Sequence, residues 1–414
     1  MNILCVVDKF FPEYSANTLC INTIMNYFKE NGHCVDFLSL KTNGMGPNIT
    51  QDNGSYIIKF DSYITKYLHK NGLEKWKDVH SLKRKIISGI NYLRYFYRRK
   101  FKYNQLDCIN YKSIIKLIKS TSRDYDIIIS CCSPFQLHII ANKLLKEYKN
   151  AKWFPVFFDP FVYNSCQAEY GVGTRKKYAE SILKKATKCF MVQGIVNNNL
   201  KNGYSPEYHE KVIEFIIPSL IDRTNNNRQK YGVMELTYAG MFYDNIRNPH
   251  EMFKVLSQLK GEYICNILGE GCPDEIKIAK EKMGDNLVLY GQVERSKCID
   301  KLAQSDILIN LGNSIDFQTP SKILEYIGFG KPIVNFYTIE NDSSLKYLNN
   351  YPLAFNFNLS NYNEQDIKDL EQFCLRNRME TLTFPQIRKY MKGYVADEQC
   401  KTIYKTIIED NYDK

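Results

Sequence analysis

The stretch TPSKILEYIGFGKPIVNFY (319–337) carries one helix–turn–strand unit whose limits are written in its residues. Thr319 can cap a helix, and Pro320 suits the first helical position because it has no N–H to lose. Gly330 suits the left-handed residue just past the end. Ser321 to Phe329 therefore reads as a short helix, and Pro332 to Tyr337 as the strand that follows. The unit is either an ordinary helix–strand connection or one whose helix start holds an anion, since free N–H groups and the helix dipole favour negative charge there.

The same alternation runs outward. Upstream stand ELTYAGMF (235–242), a helix over 249–260, YICNILGEG (263–271), a helix over 273–283, NLVLYG (286–291), a helix over 296–305 and DILINLG (306–312). An earlier series holds NILCVVDKF (2–10), a helical pattern from Thr18 to Asn31 stopped by Gly32, HCVDFLSL (33–40), YDIIISCC (125–132), a helix over 135–148 and KWFPVFF (152–158). Strands alternating with amphipathic helices predict an α/β protein with mainly parallel sheets. The polar run LIDRTNNNRQKYG (220–232) reads as a linker. The expected architecture is two doubly wound, Rossmann-like domains facing across a cleft, residues 1–219 and 220–394, with a closing helix over 395–414 packing back on the first. Sheets of this kind bind ligands beyond the carboxyl ends of their strands.

Composition narrows the function. No apolar run reaches membrane-spanning length, and MNILCVVD enters a strand at once, without a basic leader. Thirteen cysteines stand singly apart from Cys131-Cys132, with no C-x-x-C pair, so reduced thiols and a cytoplasmic setting are expected. The formal charge of +11 is concentrated: residues 61–104 hold twelve Lys/Arg against three Asp/Glu. Within it, residues 81–103 place Leu82, Ile86, Ile90, Leu93, Tyr97 and Phe101 at helical spacing, broadly opposite Arg84, Arg94, Arg98 and Lys102. Such a helix is either core-facing with a solvated basic side, or peripheral at the anionic inner face of a cell membrane; the size of the local excess favours the membrane. No recognised RNA-binding module accompanies the charge, so no nucleic-acid partner is expected. There is no Walker loop and no G-x-S-x-G elbow. The six histidines lack ligand spacing, and the lone D-x-D, Asp124-Tyr125-Asp126, precedes its strand, at the wrong end of the sheet for a site. Neither a metal nor a bound cofactor is expected.

FPxxS after the first strand, GHxVxxL, YAGMFYDNIRNP, ILGEG, VLYGQV, SDILINLG and PSKILEYIGFGKPIV occur in an order that resembles the GT-B glycosyltransferases, and within them the retaining family 4 enzymes, the glycosyl transferases group 1. The specific part covers roughly residues 235–337. The resemblance implies a nucleotide diphosphate sugar, UDP-linked for preference, as donor in the second domain, and an acceptor held by the first. It implies further that Pro320 and Ser321 offer helix-start amides to the diphosphate, that Lys322 adds a positive charge beside it, and that Glu325 accepts the ribose hydroxyls. The plain alternative is a solvent-facing Lys322–Glu325 pair worth a few tenths of a kcal/mol, on the order of 0.3. Arg247 stands where the family has a lysine that stabilises the leaving group, and a guanidinium binds a diphosphate bidentately; a helix-end surface arginine is its alternative. Gly269 and Gly271 in LGEG would let backbone approach the ligand, or are ordinary turn glycines; Gly240 is counted with the donor-binding residues, and backbone groups of Gln292 and Val293 would meet the base.

Two family charges are missing: Met241 follows Gly240 where an arginine is usual, and Phe317 occupies the position of a glutamate that contacts the donor sugar. In the first domain, Ser15 and Ala16 replace a glycine pair, while Asn17 either donates a hydrogen bond or, as expected of a residue there, caps helix 18–31. Ser133 lies near a family histidine's position, His138 is either an active-site hydrogen-bonding group or structural, and Asp159 either orients the acceptor hydroxyl or holds its loop. The implied activity is transfer of a sugar to a membrane-associated glycan of a bacterial surface polysaccharide. The alternatives are a sugar-nucleotide epimerase of the same fold, or a non-catalytic partner that recruits a transferase to the membrane.

Overall fold

The computed structural model describes residues 1–10, 14–41, 47–61, 70, 80–83, 111–132, 135–159, 161–162, 172–193, 196, 204–224, 232–315 and 322–412. The basic segment 81–103 thus lies outside the described residues apart from 81–83. The chain divides into two compact units, Met1–Ile217 with Gln399–Lys414, and Pro218–Glu398.

The first unit is built on β1 (Asn2–Val7), β2 (Cys34–Leu40), β3 (Ile49–Asp52), β4 (Ser55–Phe60), β5 (Ile127–Cys132), β6 (Lys152–Phe157), β7 (Cys189–Val192) and β8 (Val212–Phe215). Their order in the sheet is β3-β4-β2-β1-β5-β6-β7-β8. All pairs are parallel except the β3–β4 hairpin at the edge. That hairpin turns on Asn53 and Gly54, both at positive φ (46° and 77°), as a tight two-residue turn requires. The helices are α1 (Ala16–Glu30), α2 (Tyr111–Lys119), α3 (Gln136–Leu144) and α4 (Val172–Lys185).

Side-chain alternation along β1 feeds two cores. Leu4 and Val6 join α2, α3 and α4 through Ile114, Ile118, Ile140, Leu144 and Ile182. Ile3, Cys5 and Val7 join α1 through Ile21, Ile24, Met25 and Phe28, together with Cys400, Ile403 and Ile407 from the chain's last helix. A parallel strand buried on both faces needs an unbroken apolar run, which is what NILCVV is.

The second unit holds β9 (Met234–Ala239), β10 (Tyr263–Leu268), β11 (Leu287–Gly291), β12 (Ile307–Leu311), β13 (Ile333–Tyr337) and β14 (Ala354–Asn358), all parallel, in the order β11-β10-β9-β12-β13-β14. Numbered from β9, this is the 3-2-1-4-5-6 order of a dinucleotide-type sheet, with its switch point between β9 and β12. The helices are α5 (His250–Leu256), α6 (Pro273–Met283), α7 (Arg295–Gln304), α8 (Lys322–Ile327), α9 (Leu345–Leu348), α10 (Glu364–Asn377), α11 (Phe384–Tyr390) and α12 (Ala396–Tyr412), whose residues from Gln399 onward belong to the first unit.

One face of this sheet is apolar, with Leu236, Tyr238, Cys265, Ile267 and Ile309 under α5, α6 and α10. The opposite face buries an amide ladder. Asn310, Asn335 and Asn356 are register partners on β12, β13 and β14. Asn310 Nδ2 donates to Asn335 Oδ1 at 2.7 Å, and Asn335 Nδ2 to Asn356 Oδ1 at 3.0 Å. A buried amide is tolerated when its donors and acceptors are matched, and the ladder matches them.

The polar run at 220–232 is not simply a connector. Leu220 is buried and bridges Val395, while the Arg223 N–H donates to the Gly328 carbonyl at 2.9 Å. Residues 225–231 lie outside the described set. The Gly330–Lys331–Pro332 sequence also has a structural role: Gly330 takes φ 68°, and the fully buried Lys331 donates to the carbonyls of Ala303 and Ser305 at the end of α7, where the helix dipole favours a cation.

Candidate active site

At the switch point of the second unit, three loops leave the carboxyl ends of neighbouring strands and are tied together by backbone bonds. Gly240 N–H donates to the Leu268 carbonyl at 2.9 Å and Phe242 N–H to the Glu270 carbonyl at 2.8 Å, joining the β9 and β10 loops. Gly269 (φ 150°) has no room for a side chain, since a Cβ would overlap the Gly240 carbonyl oxygen. Gly269 thus has a structural role, since lacking a Cβ permits this loop-to-loop pairing. Ser314 N–H donates to the Ile246 carbonyl at 2.7 Å, tying the β9 loop to the β12 loop.

Arg247 closes the tight turn Tyr243–Arg247, its N–H donating to the Tyr243 carbonyl at 2.9 Å. The guanidinium then reaches across the switch point: Nε and Nη2 both donate to Asn313 Oδ1, at 3.0 and 2.7 Å. Its charge also acts on Tyr238 and on Asp342. Asp342 is buried, and burial raises its carboxyl pKa, with the hydrogen bonds from Ser344 and the Arg247 charge opposing that rise.

On α8, Glu325 is only 5 % exposed. Its partner is not Lys322, as an i,i+3 surface pair would have it. Arg295, at the start of α7, donates Nη2 to Glu325 Oε1 at 2.5 Å, and Arg223 Nη2 lies 3.7 Å from the same oxygen. Two cations therefore hold one oxygen of the carboxylate, and no described residue donates to the other. Lys322, at the first position of α8, has its Nζ 3.9 Å from Cys298 Sγ. The helix is locked to β9 by Tyr326, whose hydroxyl accepts from Ala239 N–H at 2.9 Å and donates to the Ala239 carbonyl at 3.1 Å. Pro320, Ser321 and Phe317 lie outside the described residues. Gln292 is exposed and Val293 half-buried, both in the loop between β11 and α7 that leads to Arg295.

In the first unit the structure corrects the expected cap. Ser15, not Asn17, is the N-cap of α1, accepting from Thr18 N–H at 3.1 Å, and the helix begins at Ala16, which is exposed. Asn17 is freed for another partner: its Nδ2 donates to Asp159 Oδ2 at 3.3 Å, across 142 positions of sequence. Asp8, which the sequence reading had passed over, sits just beyond β1 and takes the hydroxyls of Ser15 and Thr18 on Oδ1, both at 2.7 Å. Its signal was present as an acidic residue ending an apolar strand.

Of the two roles open to His138, the structural one is favoured: the side chain has no exposed surface. Its Nδ1 is 2.8 Å from Ser130 Oγ, which also accepts from Trp153 Nε1 at 2.9 Å, and burial holds the imidazolium pKa down at about 3. Ser133 lies outside the described residues. Asp124 and Asp126 fasten the amino end of β1, accepting from Asn2 Nδ2 at the Asp124 carbonyl (2.9 Å) and from Asn2 N–H at Asp126 Oδ2 (2.7 Å).

No protein-family model matches the chain, and no curated protein matches its sequence. Solved structures do. A glycosyltransferase from Rickettsia africae aligns with 14 % identity and a TM-score of 0.60 over 100 % of this chain and 99 % of its own. Anabaena HepE in complex with UDP and glucose aligns with 10 % identity and a TM-score of 0.60, over 99 % and 100 %. A lipopolysaccharide outer core galactosyltransferase, WaaB, aligns with 14 % identity and a TM-score of 0.53, over 99 % of both chains. The fold of the chain is that of the GT-B glycosyltransferases, two α/β units with parallel sheets.

Proposed function

We propose that this protein is a retaining glycosyltransferase that takes its sugar from a UDP-sugar bound on the second unit. The observation that carries the reading is the pairing, at the carboxyl ends of one dinucleotide-type sheet, of an arginine and a carboxylate with complementary tasks. Arg247 donates Nε and Nη2 to Asn313 Oδ1 and also hydrogen-bonds with Tyr238, and its remaining N–H capacity is assigned to a diphosphate. Glu325 has one oxygen fixed by Arg295 and Arg223 and one to accept a ribose hydroxyl. The likeness in fold to a structure holding UDP and glucose supports the same assignment.

In the proposed reaction the bond from the anomeric carbon to the phosphate oxygen breaks as the acceptor oxygen bonds to that carbon on the same face. The acceptor's proton passes to the departing phosphate oxygen. Arg247 and Lys322 stabilise the charge that grows on the diphosphate, and a preorganised cation does this without reorganising during the step. The acceptor is assigned to the first unit, where Asp8 and the Asn17–Asp159 pair stand beyond the sheet. A membrane-associated glycan of a bacterial surface polysaccharide is the proposed acceptor. The basic stretch 81–103 supports it, as does the fold likeness to a lipopolysaccharide galactosyltransferase. Among the described residues no helix is long and apolar enough to cross a membrane.

The test is calorimetric titration with UDP, GDP, ADP, CMP and dTDP of the wild type and of Glu325→Ala. Micromolar binding of UDP, weakened at least tenfold by the substitution, is expected. No nucleotide binding to the wild type would overturn the assignment.

A further inference from the structure

Strand order sets where the two ends of a nucleotide would lie. The loops that carry Arg247 and Asn313 leave β9 and β12, on either side of the switch point, while β11 stands at the sheet's edge, two strands from β9. Two strand spacings are about 10 Å. Glu325 links these places: it stands on α8, which follows β12, and its carboxylate meets Arg295, which follows β11. A nucleotide with its diphosphate at Arg247 and its ribose at Glu325 therefore brings its base to Arg295.

Arg295 is an unexpected residue for its position. It opens α7, whose first turn holds no acid and whose preceding residue, Glu294, makes no side-chain cap bond. A cation there opposes the helix dipole, which favours negative charge at that end. Burial does not hold it in place, since the side chain is 41 % exposed. Nor does the charge of Glu325 require it, because Arg223 already lies 3.7 Å from the same carboxylate oxygen. One bond orients the guanidinium: Nη2 donates to Glu325 Oε1 at 2.5 Å. No described residue accepts from Nε or Nη1. A planar fork anchored at one corner and open to solvent at the others presents donors in fixed directions. Such donors suit a carbonyl oxygen. Uracil carries two of these on its ring; adenine carries none, and its amino group would turn N–H toward N–H.

We propose that Arg295 is a specificity-determining residue for the base of the donor: its open N–H groups donate to a uracil carbonyl oxygen while Nη2 stays on Glu325. This rests on the donor-site reading above and deepens it. It adds a side chain to a recognition assigned so far to backbone groups of Gln292 and Val293. One guanidinium then spans both halves of the nucleoside, touching the base directly and the ribose through its carboxylate.

The experiment compares Arg295→Lys with the wild type in calorimetric titrations with UDP and with ADP, the ADP affinity being measured by competition against UDP. Lysine keeps a positive charge for Glu325 but loses the planar fork, and at a half-exposed position it leaves the fold intact. The wild type is expected to bind UDP more tightly than ADP. In the variant, ADP affinity should be unchanged and the preference for UDP should fall about tenfold, the worth of one hydrogen bond to a charged group. A variant that keeps the whole preference would overturn the role of Arg295 in reading the base, as would a wild type that binds both nucleotides alike. Equal weakening of the two nucleotides would overturn it too, marking Arg295 as a support for Glu325 only. Failure of the wild type to bind either nucleotide would instead overturn the donor-site reading beneath it.

Discussion

His138 makes the pH dependence of folding calculable. The imidazole is fully buried, with Nδ1 against Ser130 and Nε2 without a partner, and burial lowers its pKa from 6.5 to about 3. The folded state therefore refuses a proton that the unfolded chain accepts below pH 6.5. Stability is fully present above pH 6.5 and is lost as pH falls from there toward 3. At pH 5 the loss attributable to this one group is about 2 kcal/mol, one and a half pH units at about 1.4 kcal/mol each. The perturbation is His138→Gln, which cannot titrate. Urea unfolding would be followed by the fluorescence of Trp153, which shares Ser130 with His138, in a background where Trp76 is replaced by Phe. Every other titrating group is common to both proteins, so the difference between their stability changes from pH 7 to pH 5 isolates His138. The expected difference is about 2 kcal/mol in favour of the variant at the lower pH. Identical pH profiles would refute the argument, and with it the placement of His138 in a dry core.

Two further outcomes test the scaffold around the proposed donor site. Gly269→Ala should destabilise the second unit by about 2 kcal/mol or more and weaken UDP binding, because its Cβ would overlap the Gly240 carbonyl. Gly261→Ala, at φ 154° but with only Glu371 Oε1 near at 3.8 Å, is the control for backbone strain alone, and equal melting temperatures for the two would refute the loop-pairing role. Asn335→Leu should cost about 3 kcal/mol in thermal or urea unfolding, since it takes the acceptor from Asn310 Nδ2 and the donor from Asn356 Oδ1; a loss below about 1 kcal/mol would show that the ladder contributes little.

The alternation of apolar runs with amphipathic helices made the doubly wound α/β class readable, because a parallel strand and its covering helix differ in period. Strand order was not readable. Nothing in YDIIISCC says that it pairs with the first strand while the chain's later strands stack outward from it. The Asn53-Gly54 hairpin was readable from its dipeptide and was passed over. Arg223 and Arg295 escaped for a different reason: they meet at Glu325 from positions 72 residues apart, and neither spacing nor residue type announces such convergence. Asn17 was misread through the strength of a local rule. Ser15, two residues earlier, serves as the cap, and what remained for Asn17 was a partner across the unit that only folding supplies. Lys331 is a buried cation at a helix end, a role that its place between Gly330 and Pro332 does not announce.

The amide ladder has a consequence for distances at the ends of its strands. Each strand advances about 3.3 Å per residue, and a slip of one residue also turns every side chain to the opposite face. A sheet of Val and Ile alone tolerates such slips with modest loss, since one aliphatic contact much resembles the next. Asparagines opposite one another do not: displaced by a single step, Asn335 would face Ile or Leu on β12 and Phe on β14, with its amide unmatched. The ladder thus works as a vernier for β12, β13 and β14. It fixes how far each loop projects, and so the spacing between Asn313 at the end of one strand and Asp342 beyond the next, to a tolerance finer than hydrophobic packing alone would set.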